Sequence, residues 1–409
     1  MQSVYVLAGY QTDFARNFSK EGKDIADIVQ ETLDGVMQAS ALAPAQIGAI
    51  HVGNAFGELF NRQAQLGAMP ASLDARFWGK PATRHEAACA SGSMAILGAM
   101  AQIQAGWHDC VLVLGAEQER NVQGLTAARN LGAAAWTGRE AKEVRLLWPH
   151  MFSRMAQIYA ERYGMEYAYL AEIARRNLQH AKRNPLAQTR KWEFTQASFS
   201  QDDEANPVVD GWTRRNDCGQ VTDGGAAVLL ANARFAHLWA ELHGKSLHQL
   251  ARISGWGWRT AGLSLESKLA HSNALLFPHM AAAIQDAFAR AGVADVWQMD
   301  LIETHDCFAM TQYIALDHFG LTPPGEGWRA LQDDSLCFGG RLPVNPSGGL
   351  IGAGHPVGAS GIRMLWDCAK QVTGLAGDYQ VAGAQRAACL NLGGSASTIA
   401  SFVLERGVA

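Results

Sequence analysis

The chain alternates short apolar runs with stretches in which apolar residues recur at helical spacing. Residues 4–9 form an apolar run with β-branched residues that suits a buried strand. Asp24 then offers an N-cap before residues with the periodicity of one helix face. Further apolar runs cover 47–52 and 110–115. This order of strands and helices predicts an α/β sheet with helices on its faces.

The pattern changes from about 118 to 218, where charged and aromatic residues become frequent and strand-like runs disappear. Within this stretch, one helix face carries an apolar stripe of Met151, Met155, Ile158 and Tyr159. Such a stripe usually serves helix packing, and Met151 is in addition a candidate for contact with a substrate. We therefore expect a mainly helical insertion over the sheet, after which strand-like sequence resumes at 221–230.

The second half of the chain begins the same pattern again. A strand-like run at 253–257 precedes a helix with Pro278 at its first position and Gly292 just past its end. Residues 293–308 can then be laid on 41–56 with a constant offset of 252. A repeat of this length predicts two similar α/β halves related by a pseudo-twofold axis.

One cysteine lies in a run of small residues directly before an apolar helix. Residues 86–94 read Glu-Ala-Ala-Cys-Ala-Ser-Gly-Ser-Met, and the helix that follows is apolar nearly all round. Cys89 is therefore approachable, at a position where unpaired backbone N–H groups and the helix dipole favour a thiolate. It is a candidate nucleophile, and the ordinary alternative is a small core residue.

Two further motifs contain histidines. Residues 303–308 read Glu-Thr-His-Asp-Cys-Phe and place His305 and Cys307 at the C-terminal end of a strand. Ligands of α/β sheets bind at such ends. Residues 345–361 are rich in glycine, which lets a backbone or a ligand approach closely, and they hold His355 directly before a helix.

A third motif, at 388–397, puts Cys389 and a Gly-Gly pair into a strand. A bulge in a buried strand is the ordinary explanation of such a sequence. Each of the three motifs is weak by itself, because a glycine-rich loop is usually a tight turn and a buried histidine is usually a hydrogen-bonded core residue. Their order and spacing together are specific.

Composition narrows the range of functions. The 409 residues are 48% hydrophobic and 18% charged, with a net charge of -4 and a pI near 6.4. Such a chain has no general attraction to nucleic acid or to an anionic membrane. No apolar run approaches the roughly 20 residues that cross a bilayer, and the start lacks a secretory pattern, so we expect a cytoplasmic protein. The seven cysteines have no paired spacing, which argues against a disulfide framework or a zinc site.

With this order of motifs the chain resembles the thiolase family over nearly its whole length. Residues 89–91, Cys-Ala-Ser, are similar to the family's nucleophile loop, and 354–356, Gly-His-Pro, to its base loop. Where many thiolases carry Asn-Glu-Ala-Phe, residues 305–308 read His-Asp-Cys-Phe, which resembles the sterol-carrier-protein-2 type. The family's last loop usually reads Cys-x-Gly, whereas 389–391 read Cys-Leu-Asn.

The resemblance implies a thiolase-like α/β fold, in which two similar βαβαβαββ halves related by a pseudo-twofold axis stack as five layers, αβαβα. The first half would cover 1–245, with the helical insertion at about 118–218, and the second half would cover 246–409. The resemblance also implies a homodimer or a tetramer built from dimers.

The reaction and its residues follow from the same resemblance. Cys89 would attack a 3-oxoacyl-CoA after His355 takes its proton, and the same groups run backwards would perform a Claisen condensation. His305 and His355 would stabilise the departing enolate. Either Cys307 or Cys389 would protonate it, with a slight preference for Cys307.

Backbone N–H groups of Cys89 and of the loop at Asn391 and Gly393 would stabilise the tetrahedral oxyanion. The candidate substrate contacts are Ser347, Gly348, Gly354 and Met151. Coenzyme A or its acyl ester enters as substrate, and we expect no permanently bound cofactor or metal. The alternatives are a biosynthetic C-acyltransferase that does not use two CoA esters, and a catalytically silent subunit that binds a CoA ester or a partner protein.

Overall fold

The computed structural model describes residues 3–408, in which eleven strands occur. They are β1 (Val4–Gln11), β2 (Ala49–Gly53), β3 (Ala82–His85), β4 (Cys110–Glu117), β5 (Val208–Asp210), β6 (Thr213–Arg214), β7 (Gly224–Asn232), β8 (Ala251–Thr260), β9 (Leu301–Thr304), β10 (Arg386–Gly393) and β11 (Thr398–Arg406). None of the helices in this part of the chain combines the length and apolar character that a membrane crossing requires.

The described residues contain thirteen α-helices. They are α1 (Ile25–Ser40), α2 (Gly57–Asn61), α3 (Met69–Leu73), α4 (Ser91–Gln104), α5 (Gly124–Gly132), α6 (Leu147–Tyr163), α7 (Tyr167–Ala181), α8 (Ala233–Leu242), α9 (Leu265–Leu269), α10 (Pro278–Ala291), α11 (Ala309–His318), α12 (Gly349–Ala353) and α13 (Val357–Thr373). The predicted N-cap is confirmed, because the Asp24 carboxylate accepts from the N–H groups of Ala26 and Asp27. Gly292 takes a φ of 69° just past α10, as predicted.

Nine strands form one mixed sheet in the order β3-β2-β4-β7-β1-β8-β11-β10-β9. β1 and β8 pair antiparallel where the two halves meet. Outward from β1 the strands are β7, β4, β2 and β3, and outward from β8 they are β11, β10 and β9. Val344 continues the second series through a single parallel bridge to Ile302, the counterpart of the pairing between Ala82 and Ile50. This correspondence confirms the two similar halves predicted from the sequence repeat.

Helices cover both faces of the sheet. Leu112 and Leu114 of β4 belong to the apolar cluster that includes α1, whereas Val111 and Val113 face the cluster that includes α4. α4 and α13 pack against each other, and α13 also contacts strands of both halves. α10 covers β8 and β11. The pair α4 and α13 therefore lies between the strands of the two halves, with α1 against the first half and α10 against the second, which is the helix-sheet-helix-sheet-helix layering of the predicted fold class.

The segment between β4 and β7 is mainly helical, as predicted, and contains α5, α6, α7 and the short β5–β6 pair. α6 packs on α11, and α7 packs on α11 and α12, so this segment contacts the second half of the chain. The buried Tyr159 hydroxyl of α6 donates to Asp317 of α11 at 2.8 Å. The helical segment of the first half therefore packs directly against the second half.

Candidate active site

Cys89 lies in a 3₁₀ turn at 88–90 that leads directly into α4. Ser91 holds this turn, because its hydroxyl donates to the Ala88 carbonyl at 2.6 Å and accepts from the Ala87 N–H at 2.9 Å. Ala88 takes the left-handed φ of 50° that brings the chain into the helix. The thiol consequently lies at the N-terminal end of a buried helix.

Two histidines from the second half meet this thiol. His305 directly follows β9, and His355 lies two residues before α13. One donor atom from each of Cys89, His305 and His355 lies within 4.8 Å of the others. The two imidazole rings meet edge to face, with their centroids 5.5 Å apart. Cysteine and histidine are residue types that bind zinc, so this group has the donors for a metal ion as well as those for acid–base chemistry.

The hydrogen bonds of His355 decide which nitrogen carries its proton. The Ser360 hydroxyl donates to the Pro356 carbonyl at 2.8 Å, so its oxygen accepts from Nδ1–H of His355 at 2.7 Å. Nε2 of His355 is buried without a hydrogen-bond partner in the described chain. Burial, with a smaller effect of Arg363, lowers the pKa of His355 to about 3. The ring is therefore neutral, and Nε2 can accept a proton.

In His305 the proton lies on the other ring nitrogen than in His355. Asn391 Nδ2 donates to Nδ1 of His305 at 3.1 Å, and Asn391 Oδ1 accepts from the Ser93 hydroxyl at 2.7 Å. Nδ1 is thus an acceptor, and the proton of the neutral ring lies on Nε2. Burial lowers the pKa of His305 well below its usual range, and His355 adds to this effect. One neutral histidine accepts a hydrogen bond and the other donates one.

The electrostatics of Cys89 favour the thiol over the thiolate. Burial, and then the Glu119 carboxyl, raise the pKa of the Cys89 thiol to about 12, while the N–H groups of Gly394 and Cys89 act in the opposite direction. At neutral pH the residue is a thiol, which becomes a strong nucleophile only when its proton is removed. The donor beside the sulfur is Gly394, whereas the predicted Gly393 lies on β10 against the Ala87 carbonyl.

Of the two thiols considered for the second acid–base role, Cys307 lines the cavity together with Cys89. Burial, and then Cys89, raise the pKa of Cys307 well above its usual range. Cys389 is fully buried on β10, with its thiol against Cys368 of α13. Asn391 faces the same side of that strand about 6.6 Å farther along, and it reaches His305 where Cys389 does not.

Cys89 opens into a cavity of about 180 Å³. Its apolar walls come from both halves and from the helical segment, and they include Phe56, Leu131, Leu146, Leu147, Trp148, Pro149, Phe152, Val221, Phe308 and Val357. The polar side chains in its lining are Cys89, Glu119, Cys218, Gln220, Cys307 and His355. The reactive groups thus lie in a mostly apolar pocket, as in many small-molecule sites.

The four candidate substrate contacts, Ser347, Gly348, Gly354 and Met151, are not part of this lining. The Ser347 hydroxyl donates to Glu303 at 2.7 Å and accepts from the buried Arg363 at 2.8 Å. The two glycines take φ values of 102° and 108°, which shape the loop before His355. Met151 is buried in the core, and its neighbour Phe152 lines the cavity instead.

Sequence reasoning missed several residues that build the site. Asp306 ties β9 to the His355 loop, because its carboxylate accepts from the N–H groups of Leu350 and Ile351. The sequence signal for Asp306 is its position between His305 and Cys307. Ser360 could have been found from its position in the first turn after His355. Nothing in the local pattern marks Glu119, which reaches the cavity from the loop after β4.

Comparison with known families gives one consistent result. Residues 4–234 match the family described as "Thiolase, N-terminal domain", and residues 262–406 match "Thiolase C-terminal domain-like". An acetyl-CoA acetyltransferase of Methanothermobacter thermautotrophicus is 30% identical over 406 residues, which cover 99% of this chain and 100% of the relative. Sterol carrier protein 2 of Gallus gallus is 27% identical over 401 residues, which cover 95% of this chain and 69% of that protein.

Solved structures share the fold at lower sequence identity. The Ltp2-ChsH2(DUF35) aldolase superimposes with a TM-score of 0.76 at 18% identity, covering 99% of this chain and 98% of that one. Human mitochondrial 3-ketoacyl-CoA thiolase in complex with CoA gives a TM-score of 0.70 at 18% identity, covering 100% of this chain and 98% of that one. These similarities show that the fold is thiolase-like.

Proposed function

Because the chain belongs to the thiolase family, we propose that it cleaves 3-oxoacyl-CoA with coenzyme A, or performs the reverse Claisen condensation, through an acyl-cysteine. The observation that carries the proposal is the group of Cys89, His305 and His355, whose donor atoms lie within 4.8 Å of one another. The name of the archaeal acetyl-CoA acetyltransferase supports the same reaction class. Coenzyme A is then a substrate that enters and leaves.

In the direction of cleavage, Nε2 of His355 takes the proton of Cys89, and the thiolate attacks the 3-oxo carbon. Negative charge develops on the oxygen of that carbonyl. The backbone N–H groups of Cys89 and Gly394, which lie beside the sulfur, are the donors for this oxyanion. One such donor is typically worth about 3 kcal/mol of barrier.

The bond between the second and third carbons then breaks, and its electron pair passes to the enolate of acetyl-CoA. Nε2–H of His305 and the protonated Nε2 of His355 donate to the enolate oxygen. Cys307 gives its proton to the second carbon, which completes acetyl-CoA and leaves the acyl group on Cys89. Free coenzyme A returns a proton to Cys307 and attacks the acyl-cysteine, and Cys89 recovers its proton from His355.

The walls of the cavity favour an apolar acyl group. Phe152 and Phe308 stack with their ring centroids 4.3 Å apart. The ring centroid of Trp148 lies 6.0 Å from that of Phe152. An aliphatic chain that leaves water for such walls gains roughly 25 cal/mol for each Å² of apolar surface buried. We therefore assign the cavity to the acyl portion of the substrate.

The test is acyl-enzyme formation and thiolysis of acetoacetyl-CoA. Cys89→Ala should form no acyl-enzyme by mass spectrometry and should lower kcat by roughly 10⁴-fold or more, because the nucleophile is gone. Cys218→Ala is the matched control, since this thiol also lines the cavity but donates to the Arg214 carbonyl at 3.2 Å. A Cys89→Ala variant that works at the parent rate refutes the assignment.

A second candidate is carbon–carbon cleavage or formation without a coenzyme A acceptor. The aldolase among the structural neighbours makes this alternative concrete, although its similarity concerns the fold. In the thiolase reaction, release of the acyl group from Cys89 depends on free coenzyme A. Turnover that proceeds at the same rate without coenzyme A would favour the second candidate. A silent binding subunit would bind CoA esters and form no acyl-enzyme.

We further propose that the protein forms a homodimer through the exposed side of β3. This strand ends the sheet, and Ala82 and Thr83 are exposed there. A groove that also contains His85 of β3 is lined by the apolar residues Met94, Leu97, Ala101, Trp256 and Trp258. Pairing of two β3 strands would cover both the open backbone and this groove. The tetramer would then be built from such dimers.

Light scattering coupled to size exclusion tests the dimer. Trp258 is 50% exposed in the groove, so Trp258→Glu should shift the mass from dimer to monomer. Leu242→Glu is the control, because Leu242 is 81% exposed and lies outside the groove. A monomeric parent protein would exclude this interface.

A further inference from the structure

Glu119 is a buried carboxyl that lines the active-site cavity and has no part in the reaction steps above. It is 1% exposed and lies two residues beyond the end of β4. Its Oε1 accepts from the Val357 N–H at 3.1 Å, and its own N–H donates to Asp223 at 2.8 Å. Since its backbone and one oxygen are both held, the carboxyl is fixed at the cavity wall.

The second oxygen of Glu119 takes no hydrogen bond from residues 3–408. Two other polar side chains of the lining make hydrogen bonds to nearby backbone carbonyls. The Cys218 thiol donates to the Arg214 carbonyl and the Gln220 amide donates to the Cys218 carbonyl, each at 3.2 Å. Cys89, Cys307 and His355 belong to the reaction itself. Glu119 is therefore a fully buried side chain of the lining with hydrogen-bonding capacity left for the acyl group, whereas Gln220 is only half-buried.

The surroundings of Glu119 favour the protonated form of its carboxyl. Burial raises the pKa of Glu119 well above its usual range, and the neighbouring carboxyls of Glu117 and Asp223 add to the effect. No salt bridge of Glu119 occurs among the described residues. A protonated carboxyl offers an O–H donor as well as an acceptor.

An acyl chain made only of methylene groups would displace water from the cavity and leave this carboxyl without a partner, which is unfavourable. A chain that carries an oxygen at the same depth would satisfy it. Sites built around a buried polar group discriminate strongly against analogues that lack its partner. A cavity with such a carboxyl in its wall would therefore discriminate among acyl groups of equal size.

We propose that Glu119 is a specificity-determining residue, which hydrogen-bonds a hydroxyl or oxo group on the acyl chain of the substrate. The substrate class is then a CoA ester of a largely apolar acyl group that bears such an oxygen in addition to its 3-oxo group. The inference rests on the proposed function, because it requires that the acyl group extends from Cys89 into this cavity.

The test uses a panel of 3-oxoacyl-CoA esters of equal chain length. One has a plain methylene chain, and the others carry one hydroxyl or oxo group at successive positions from the fifth carbon outward. Binding is measured by titration calorimetry to the Cys89→Ala protein, so no turnover is needed. We expect one oxygenated position to bind roughly 5- to 100-fold more tightly than the plain ester, the range that corresponds to one buried hydrogen bond.

In the same background, Glu119→Leu should abolish this preference. Glu119→Gln keeps an acceptor for Val357 and a donor for the ligand, so it should retain part of the preference and also shows that the site survives substitution. Glu117→Gln is the matched control, because Glu117 accepts from the Gly358 N–H at 3.0 Å in the same helix turn but does not line the cavity. It should keep the full preference.

Equal binding of all members of the panel would overturn the inference, as would a preference that survives Glu119→Leu. A Glu117→Gln protein that loses the preference as completely as Glu119→Leu would also overturn it, because the start of α13 and not the carboxyl would then be responsible. The proposed function is decided separately by acyl-enzyme formation at Cys89, so the two failures are distinguishable.

Discussion

The helices α4 and α13 occupy matching places in the two halves, but their N-terminal ends carry different groups. Both begin at the cavity wall, and they pack against each other. The first N–H groups of α13, those of Val357 and Gly358, are taken by the carboxyls of Glu119 and Glu117. α4 has no acidic residue in its first turn and no side-chain cap.

This difference affects where the thiolate and the oxyanion of the proposed reaction would be stabilised. The positive end of α4 is left available to the thiolate and to the oxyanion that forms beside it. The positive end of α13 is already occupied by acids that come from the first half of the chain. His355, next to it, is neutral and is the proposed base. A duplicated element therefore supports an anion in one half and a neutral proton acceptor in the other.

The largest effect should come from removing the base beside α13. His355→Gln should lower kcat by roughly 10²–10⁴-fold, because it removes the unpartnered Nε2 lone pair that is proposed to accept the Cys89 proton. The control is His180→Gln, since His180 is also buried but uses both nitrogens on the backbone of Asn345 and Phe338. That variant should lose stability and keep its kcat within the same order of magnitude, as stopped-time thiolysis assays can show.

The next largest effect should distinguish the roles of Cys307 and Cys389. Exchange of the methyl protons of acetyl-CoA with solvent deuterium, followed by NMR, should fall by roughly 100-fold or more in Cys307→Ala, because this thiol moves the proton at the second carbon. Cys389→Ala should exchange at the parent rate, since Cys389 packs against Cys368 away from the cavity. The reverse result would transfer the role to Cys389.

The neutral state of His355 predicts how stability depends on pH. Its pKa is about 3 in the fold and about 6.5 in an unfolded chain, so the unfolded state binds more protons between these values. The free energy of unfolding should therefore decrease as the pH falls below 6.5. By pH 5 this one group should account for about 2 kcal/mol. Urea titrations of the parent and of His355→Gln at pH 7 and pH 5 would show a smaller decrease in the variant.

The smallest effects should come from the serines that hold the two helix starts. Ser360→Ala removes the partner of His355 Nδ1 and should lower kcat about tenfold with little change in KM, because the ring loses its fixed tautomer. If Ser360→Ala altered only stability, Ser360 would not orient the base.

Ser91→Ala removes two hydrogen bonds to the backbone of the turn that holds Cys89. It should reduce the free energy of unfolding by about 1 kcal/mol.

The sequence allowed the sheet and the central residues of the site to be predicted because both rest on local patterns. The offset of 252 placed Ile302 on Ile50, and these residues occupy matching positions beside Val344 and Ala82. The run around Cys89 predicted a thiol before a buried helix, which the structure contains. Such features depend on periodicity and on helix ends, which can be seen in a single chain.

The parts of the site that escaped prediction depend on contacts between distant segments. Spacing alone could not decide between Cys307 and Cys389 as the second acid–base thiol, because the choice depends on which of them faces the cavity beside Cys89. Glu119 looked like one acidic residue among several at the start of the helical segment. Its contact at the cavity wall is with the start of α13, more than 200 positions later in the chain.

The sheet has unequal ends: β3 leaves backbone uncovered, whereas β9 is completely buried and bridged by Val344. If two copies paired through their β3 edge strands, the only edge left on each copy would be the buried β9. A third copy would then have no open edge strand with which to pair. A chain of this shape that associates through its sheet is thus self-limiting, and it stops at a closed pair instead of growing into a fibre.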